Sequence, residues 1–263
     1  SGAAFLALAY QEERSRYDVR RVSTKADVEG DAWRLSGRKV HVLDGAAADH
    51  LVVSARTAGS EADEEGITLF LVPAGARGVR ITRQSRIDSR GAAIVDLDAV
   101  EVTRADVLGV VDQGASLLDQ VVDRATAALC AETLGMMSEA FDRTLAYLKT
   151  RVQFGVPFGS FQALKHRAAR CFIEIELSRS AVMAAVRALD EDAADAPKLV
   201  SVAKARCSDA AVLVTNEAVQ MHGGIGMTDE HDIGFYMKRA RVAELSFGDA
   251  AWHRDRFARL EGF

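Results

Sequence analysis

The chain has 263 residues, with 33 Lys and Arg against 38 Asp and Glu for a formal net charge of −5, and is 49% hydrophobic and 27% charged. That length buries a substantial core in one large or two smaller domains, the mixed composition excludes wholesale disorder, and the acidic balance argues against a nucleic-acid partner. No apolar run reaches the roughly 20 residues of a membrane helix, and the opening SGAAFLALAYQEE has no basic region followed by a cleavage site, so the expectation is a cytoplasmic chain with no membrane span. From Trp33 to about Val102, short segments rich in Val, Leu and Ile alternate with glycine-containing breaks: WRLSGRKVHVL, HLVVSART, GITLFLVP, GVRIT, GAAIVDLDAVEV. Strand-length runs between turn signals predict an antiparallel sheet folded as a barrel or sandwich, with turns at Asp44-Gly45, Glu65-Gly66 and Arg77-Gly78.

From about Gly114 the apolar period becomes helical. Leu118, Val121, Val122, Ala125, Leu129, Leu134, Phe141, Leu145 and Leu148 form one broad stripe on a first long helix. Ser160 or the glycine before it is expected to cap a second, and Asp195 with Pro197 to open a third. Two shorter helices follow, roughly Asp232 to Val242 and Asp249 to the end, the last with Asp249 as a natural N-cap. The fold class is therefore α+β: a β-barrel or sandwich domain over residues 1–110, then an up-and-down helical bundle over 111–263. Cys130, Cys171 and Cys207 are odd in number and lie far apart in apolar helical settings. They read as small buried hydrophobes, with neither a disulfide framework nor a metal site.

Two stretches carry chemistry. RVQFGVPFGSFQALKHRAA, Arg151 to Ala169, joins the first two long helices and offers a guanidinium, an amide and a ring in Arg151, Gln153 and Phe154, then a second amide in Gln162. That set suits a ligand with phosphate charge and flat rings. Alone, it is also a helix end with Arg151 on the dipole and Gly155 as the stop. MHGGIGMTDEHD places Gly223, Gly224 and Gly226 just after Gln220 and His222. By itself this favours a helix stop over a phosphate-approaching loop.

Together, R-x-x-F-G, the Phe161-Gln162 start of the next helix, and Gln220-Met221-His222-Gly223-Gly224-x-Gly226 about seventy residues later resemble the acyl-CoA dehydrogenase family over essentially the whole chain. The resemblance implies an FAD enzyme that removes hydrogens from the α and β carbons of an acyl-CoA substrate and passes electrons to an acceptor. It implies that Gly223, Gly224 and Gly226, with Gln220 beside them, let backbone approach the FAD pyrophosphate, that Arg151, Gln153 and Phe154 hold the adenine and pyrophosphate half, reaching to the FAD of a neighbouring subunit, and that Gln162 is a further cofactor contact. It also implies dimers of dimers, with the Leu199–Val219 helix and the final helix as candidate contacts. The family's all-helical domain ahead of the sheet has no counterpart in this sequence.

The departures concern the reactive half. The family's Thr-Glu-Pro-x-Ala-Gly-Ser-Asp run corresponds to Gln11 through Asp18, and its flavin-packing Trp-Ile-Thr-Asn to His41-Val42-Leu43-Asp44. Its catalytic Glu before a Gly corresponds to Phe247 before Gly248, and an alternative base position on the first long helix is Ala125. Asp249 is the weak candidate base, followed by Glu132 and Asp123. Residues 13–18, 123–132 and 247–250 are similar to those of the small subunit of pimeloyl-CoA dehydrogenase and related heteromeric acyl-CoA dehydrogenases. The expectation is a subunit supplying the adenine and pyrophosphate half in trans to a homologous, larger catalytic partner. The alternatives are a self-sufficient homo-oligomeric enzyme using Asp249, and a flavin-free structural subunit.

Overall fold

A computed structural model describes residues 2–263. It contains two compact units that divide between residues 121 and 122.

The first unit is one eight-stranded sheet. Its strands are β1 (Leu6–Ala9), β2 (Lys25–Glu29), β3 (Ala32–Leu43), β4 (His50–Arg56), β5 (Ile67–Pro73), β6 (Val79–Gln84), β7 (Ala92–Thr103) and β8 (Val107–Leu108). The order is β6-β7-β3-β2-β4-β5-β8, with β1 beside β4, and among the described residues the path does not close into a barrel. Nor is it purely antiparallel: β1 runs parallel to β4, and β2 meets β4 through the parallel pair Lys25 and Arg56. Alternate residues of the long strands face one core, in which Leu35, Leu51, Val53, Phe70, Val95 and Val100 are buried. Gly66 and Gly78 enter β5 and β6 with φ of 87° and 90°. A side chain at either would strike the carbonyl of Ala58 or Asp98, so these turns need glycine twice over.

The second unit is helical. Helix α1 (Gly114–Thr150) begins in the sheet unit, where Ala115 packs with Val22 and Ile67; this is why the compact first unit reaches beyond residue 110. A hairpin of β9 (Val152–Gln153) and β10 (Val156–Pro157) leads to α2 (Gln162–Asp190), followed by α3 (Ala196–His222), α4 (Ile233–Leu245) and α5 (Ala250–Glu261). Met137, Phe141 and Leu148 of α1, Ile175 of α2 and Val214 of α3 meet in one core. Val121, expected on the buried stripe of α1, is exposed. Helix α3 is the interior helix, with Val200, Ala203, Cys207, Ala210, Ala211 and Val214 all buried within the unit. The Leu199–Val219 helix is therefore largely spent internally, and a run of exposed apolar side chains lies on α2, at Phe172, Ile173, Leu177 and Met183. No helix is long and apolar enough to cross a membrane among the described residues.

Two caps differ from expectation. Ser160 does not cap α2: it sits in a 3-10 turn, its Oγ donates to the carbonyl of Pro157, and Phe161 occupies the N-cap position. Asp195 does stand at the N-cap of α3, but its side chain makes no capping bond. Asp249 caps α5 as expected, its Oδ1 accepting from the amide of Trp252 at 2.9 Å.

Candidate functional site

Arg151 follows the last turn of α1, its amide donating to the carbonyl of Tyr147. The hairpin beyond it pairs Val152 with Pro157 and Gln153 with Val156, leaving Phe154-Gly155 as a two-residue turn. Both turn residues have positive φ, 55° and 79°. Such a turn matches the strand twist but suits Asn-Gly, and a phenylalanine in it is strained. Nevertheless the Phe154 ring is 87% exposed, touching only the edge of Phe161 at 6.1 Å between centroids among described aromatic pairs. Val152 and Val156 are exposed beside it. A strained, solvated aromatic stabilises nothing within the chain. Arg151, Gln153 and Gln162 are exposed too, and no side-chain hydrogen bond or ion pair engages them among the described residues.

The glycine loop lies close by. Helix α3 stops because Gly223 takes φ 67°, ψ −141°, and residues Gly223–Met227 form a 3-10 turn. Gly226 is buried, and a Cβ there would lie 2.7 Å from the Val219 carbonyl and 3.0 Å from His222 Cβ. Gly224 is different: it has no positive φ, and a Cβ there would meet nothing within 4 Å. Neither backbone nor packing within the chain demands glycine at 224. Gln220, Gly223 and Gly224 are exposed together.

Tyr147 connects hairpin and loop. Its ring stacks on His222 at 4.5 Å and meets Phe158 edge-on at 6.4 Å, while the Phe158 amide donates to the Arg151 carbonyl. His231 packs on His222 at 4.7 Å. The structure thus brings the two predicted motifs to one end of the helical unit. Sequence reading gave no role to Tyr147, although its spacing of one helical turn from Arg151 was a usable signal.

Phe247, at the place where the sequence led one to expect a base, lies in a separately held turn. Phe247 and Gly248 have φ of 58° and 112°. Lys204 Nζ, deeply buried, donates to the carbonyls of Gly248 (2.7 Å) and Glu244 (3.0 Å) and to Ser208 Oγ (2.9 Å). His253 Nε2 donates to the Phe247 carbonyl at 3.0 Å. Burial and the nearby Lys204 charge push His253 down to about 3, so the ring is neutral. Asp249 is committed to its cap, Glu132 to Arg239 at 2.8 Å, and Asp123 to Arg256 at 2.7 Å. None of the three is a free carboxylate. Ala125 offers no titratable group.

In the sheet unit, Glu12 and Ser15 are the buried residues of Gln11 through Asp18. Glu12 is buried and accepts from Lys39 Nζ (2.6 Å), from the amides of Ser23 and Thr24, and from both their hydroxyls. Burial raises its pKa, but the Lys39 charge and these donors outweigh that and hold the carboxyl down at about 2. His41 lies exposed in an irregularity of β3 with φ 52°, far from the profile of a buried catalytic histidine.

The middle-domain model of the acyl-CoA dehydrogenases matches residues 7–100, and their C-terminal-domain model matches residues 112–260. Acyl-CoA dehydrogenase IpdE2 of Mycolicibacterium smegmatis is 43% identical over 143 residues, covering 54% of this chain and 42% of that protein. The steroid ACAD Tcur3481-Tcur3483 superposes with a TM-score of 0.85 at 36% identity, over 98% of this chain and 67% of that one. Butyryl-CoA dehydrogenase from Megasphaera elsdenii superposes with a TM-score of 0.93 at 26% identity, over 98% and 68%. The chain thus spans about two thirds of the length of such solved relatives. With both domain models matched in order and the fold reproduced, the chain belongs to the acyl-CoA dehydrogenase family, whose members are FAD-dependent oxidoreductases acting on CH–CH bonds.

Proposed function

We propose that this chain is a subunit of an FAD-dependent acyl-CoA dehydrogenase assembly that grips the adenine and pyrophosphate half of FAD seated in a partner subunit. One asymmetry carries the reading. Arg151, Gln153, Phe154, Gln162, Gln220 and Gly224 are exposed without a hydrogen-bonding or packing demand for them within the described chain, beside Gly223, which also ends α3, whereas Phe247 stands at the expected base position and Asp249, Glu132 and Asp123 are engaged elsewhere. The residues fit a dinucleotide: Arg151 can pair with a phosphate, Gly224 lets backbone approach it, and Phe154 offers a face to adenine. Held by these residues, FAD would supply hydride acceptance from the β carbon of an acyl-CoA thioester, in a reaction that also calls for a carboxylate to take the α proton. This chain supplies binding and orientation; the carboxylate comes from the homologous partner.

The test is to produce the chain together with a base-bearing family member and count flavin. About one FAD per pair of unlike chains is expected. Arg151→Ala should weaken FAD retention by roughly 1.5–3 kcal/mol, the worth of a charge-assisted phosphate contact. One FAD for every copy of each chain, or unchanged retention in Arg151→Ala, would sink the composite site.

A further inference from the structure

His222 is the last residue of α3 and the first neighbour of the glycine loop, and its ring is buried. Its Nδ1 lies 2.7 Å from the Ala218 carbonyl. A carbonyl only accepts, so the proton sits on Nδ1 and Nε2 is a bare lone pair. That Nε2 is buried and has no hydrogen-bond partner. Tyr147 stacks on the ring at 4.5 Å, His231 lies tilted against it at 4.7 Å, and a Cβ at Gly226 would sit 3.0 Å from the His222 Cβ. The titratable groups packed on it are Tyr147 on α1 and His231 in the loop, and Asp232, paired with Arg143 at 2.5 Å, is the nearby carboxylate. His231 Nδ1 accepts from the Ile233 amide, which leaves any proton of its neutral ring on Nε2.

We propose that His222 is a positioning residue of the dinucleotide surface: its neutral, Nδ1-protonated ring locks the glycine loop to the Tyr147 end of α1, and a proton on Nε2 releases it. A proton there creates a buried cation whose new N–H finds no acceptor among the described residues, beside another imidazole. Burial accordingly pulls His222 below the ordinary histidine range; His231 adds to this, while the Ala218 carbonyl and Asp232 act the other way. The opened loop solvates the ring and restores its usual basicity. Acid therefore favours opening, by up to about tenfold per pH unit between the ordinary and the lowered pKa. The joint itself stands on geometry; only what the loop binds rests on the function proposed above.

Hydrogen exchange of the Gly223–Met227 amides in the whole chain, corrected for intrinsic rates, reads the joint directly. Exchange should rise severalfold from about pH 7.5 to about pH 5 in wild type and stay level in His222→Phe, which keeps a ring on Tyr147 but takes no proton. Equal pH dependence in both, or slower exchange in acid, overturns the proposal. Nitrogen NMR of the wild-type imidazole tests it without a variant: the Nδ1-H tautomer with a depressed midpoint is expected, and an Nε2-H tautomer or an ordinary midpoint refutes it. FAD retention in Arg151→Ala assemblies separates the two readings. A loop that loosens in acid while Arg151→Ala keeps its FAD leaves the joint and removes the dinucleotide; an acid-insensitive loop with FAD lost from Arg151→Ala does the reverse.

Discussion

Gly223, Gly224 and Gly226 should respond to alanine in three different ways, because each is glycine for a different reason. At Gly223 the pair φ 67°, ψ −141° is nearly closed to other residues, so Gly223→Ala is expected to cost about 1–3 kcal/mol of stability. At Gly226 the new methyl would meet the Val219 carbonyl at 2.7 Å and His222 Cβ at 3.0 Å, and backbone cannot yield as a flexible side chain can. Gly226→Ala should cost about 1–3 kcal/mol by overpacking and disturb the His222 ring as well. At Gly224 nothing lies within 4 Å, and the backbone is in an ordinary region. Gly224→Ala should leave stability unchanged or raise it by about 0.4–1 kcal/mol, through a less flexible unfolded chain. Only a ligand would notice that methyl. Displacing one charge-assisted amide–phosphate bond weakens FAD retention by about 1.5–3 kcal/mol, roughly ten- to a hundredfold. Denaturant titration of the chain and FAD content of the assembly measure the two effects separately. A Gly224→Ala assembly that keeps FAD as wild type does would show that its openness serves no dinucleotide, and a silent Gly226→Ala would contradict the loop packing itself.

Other outcomes follow from single side chains. Glu12→Ala strands the Lys39 ammonium, fully buried, with Ser54 Oγ as its remaining described partner, and should cost about 3–5 kcal/mol, or about 6–20 °C of melting temperature; a shift under about 2 °C would refute the buried pair. Phe154→Asn relieves the turn's strain, so stability should rise by up to about 1 kcal/mol while FAD retention falls; an unaltered FAD content would deny the ring its role. Asp249→Asn keeps a cap acceptor and should change stability by less than about 0.5 kcal/mol and leave assembly turnover intact, whereas lost turnover in a folded protein would reinstate Asp249 as base. On acidification, His253, held neutral with a pKa of about 3 against 6.5, loses its stabilisation as pH falls below 6.5, whereas Glu12, at about 2 against 4.5, loses its contribution only below 4.5. With two tryptophans, one per unit, Trp252 fluorescence should therefore change at higher pH than Trp33 fluorescence, and the reverse order would refute this assignment.

The long helices were legible because their apolar period persists over many turns and tertiary packing reinforces it. The short strands were not. In β1, LALA offers four residues, and in β2, KADVE buries only Ala26; their place is decided by partners, β4 for one and the Ala32–Ser36 segment for the other. Ser160 misled because a serine before a helix has two uses for its hydroxyl, and here the preceding turn takes it. At the site, residue types were readable but not conformations: nothing in propensity puts Phe154 at positive φ, since propensity argues against it. Lys39 and Lys204 escaped notice because a lysine in sequence reads as solvated, and the Lys204 acceptors Glu244 and Gly248 lie 40 and 44 positions away.

The two halves of the family site can part company because different forces hold them. Stacking of Tyr147 on His222 and its edge contact with Phe158, together with fixed backbone turns, support the proposed gripping surface. Lys204, His253 and the Asp249 cap support the base turn. The two sets share no residue. In the second set every hydrogen bond to residues 247 and 248 ends on a carbonyl, so the frame specifies the path of the chain and not the side chain it carries. Gly248 is fixed more tightly, since a Cβ there would lie 2.7 Å from the Trp252 ring and 2.8 Å from His253 Nε2. Phe247 is only half-buried, at φ 58°, where glutamate would bear a comparable strain. That frame leaves the side chain at 247 unspecified, so the absence of a carboxylate there is compatible with an intact turn.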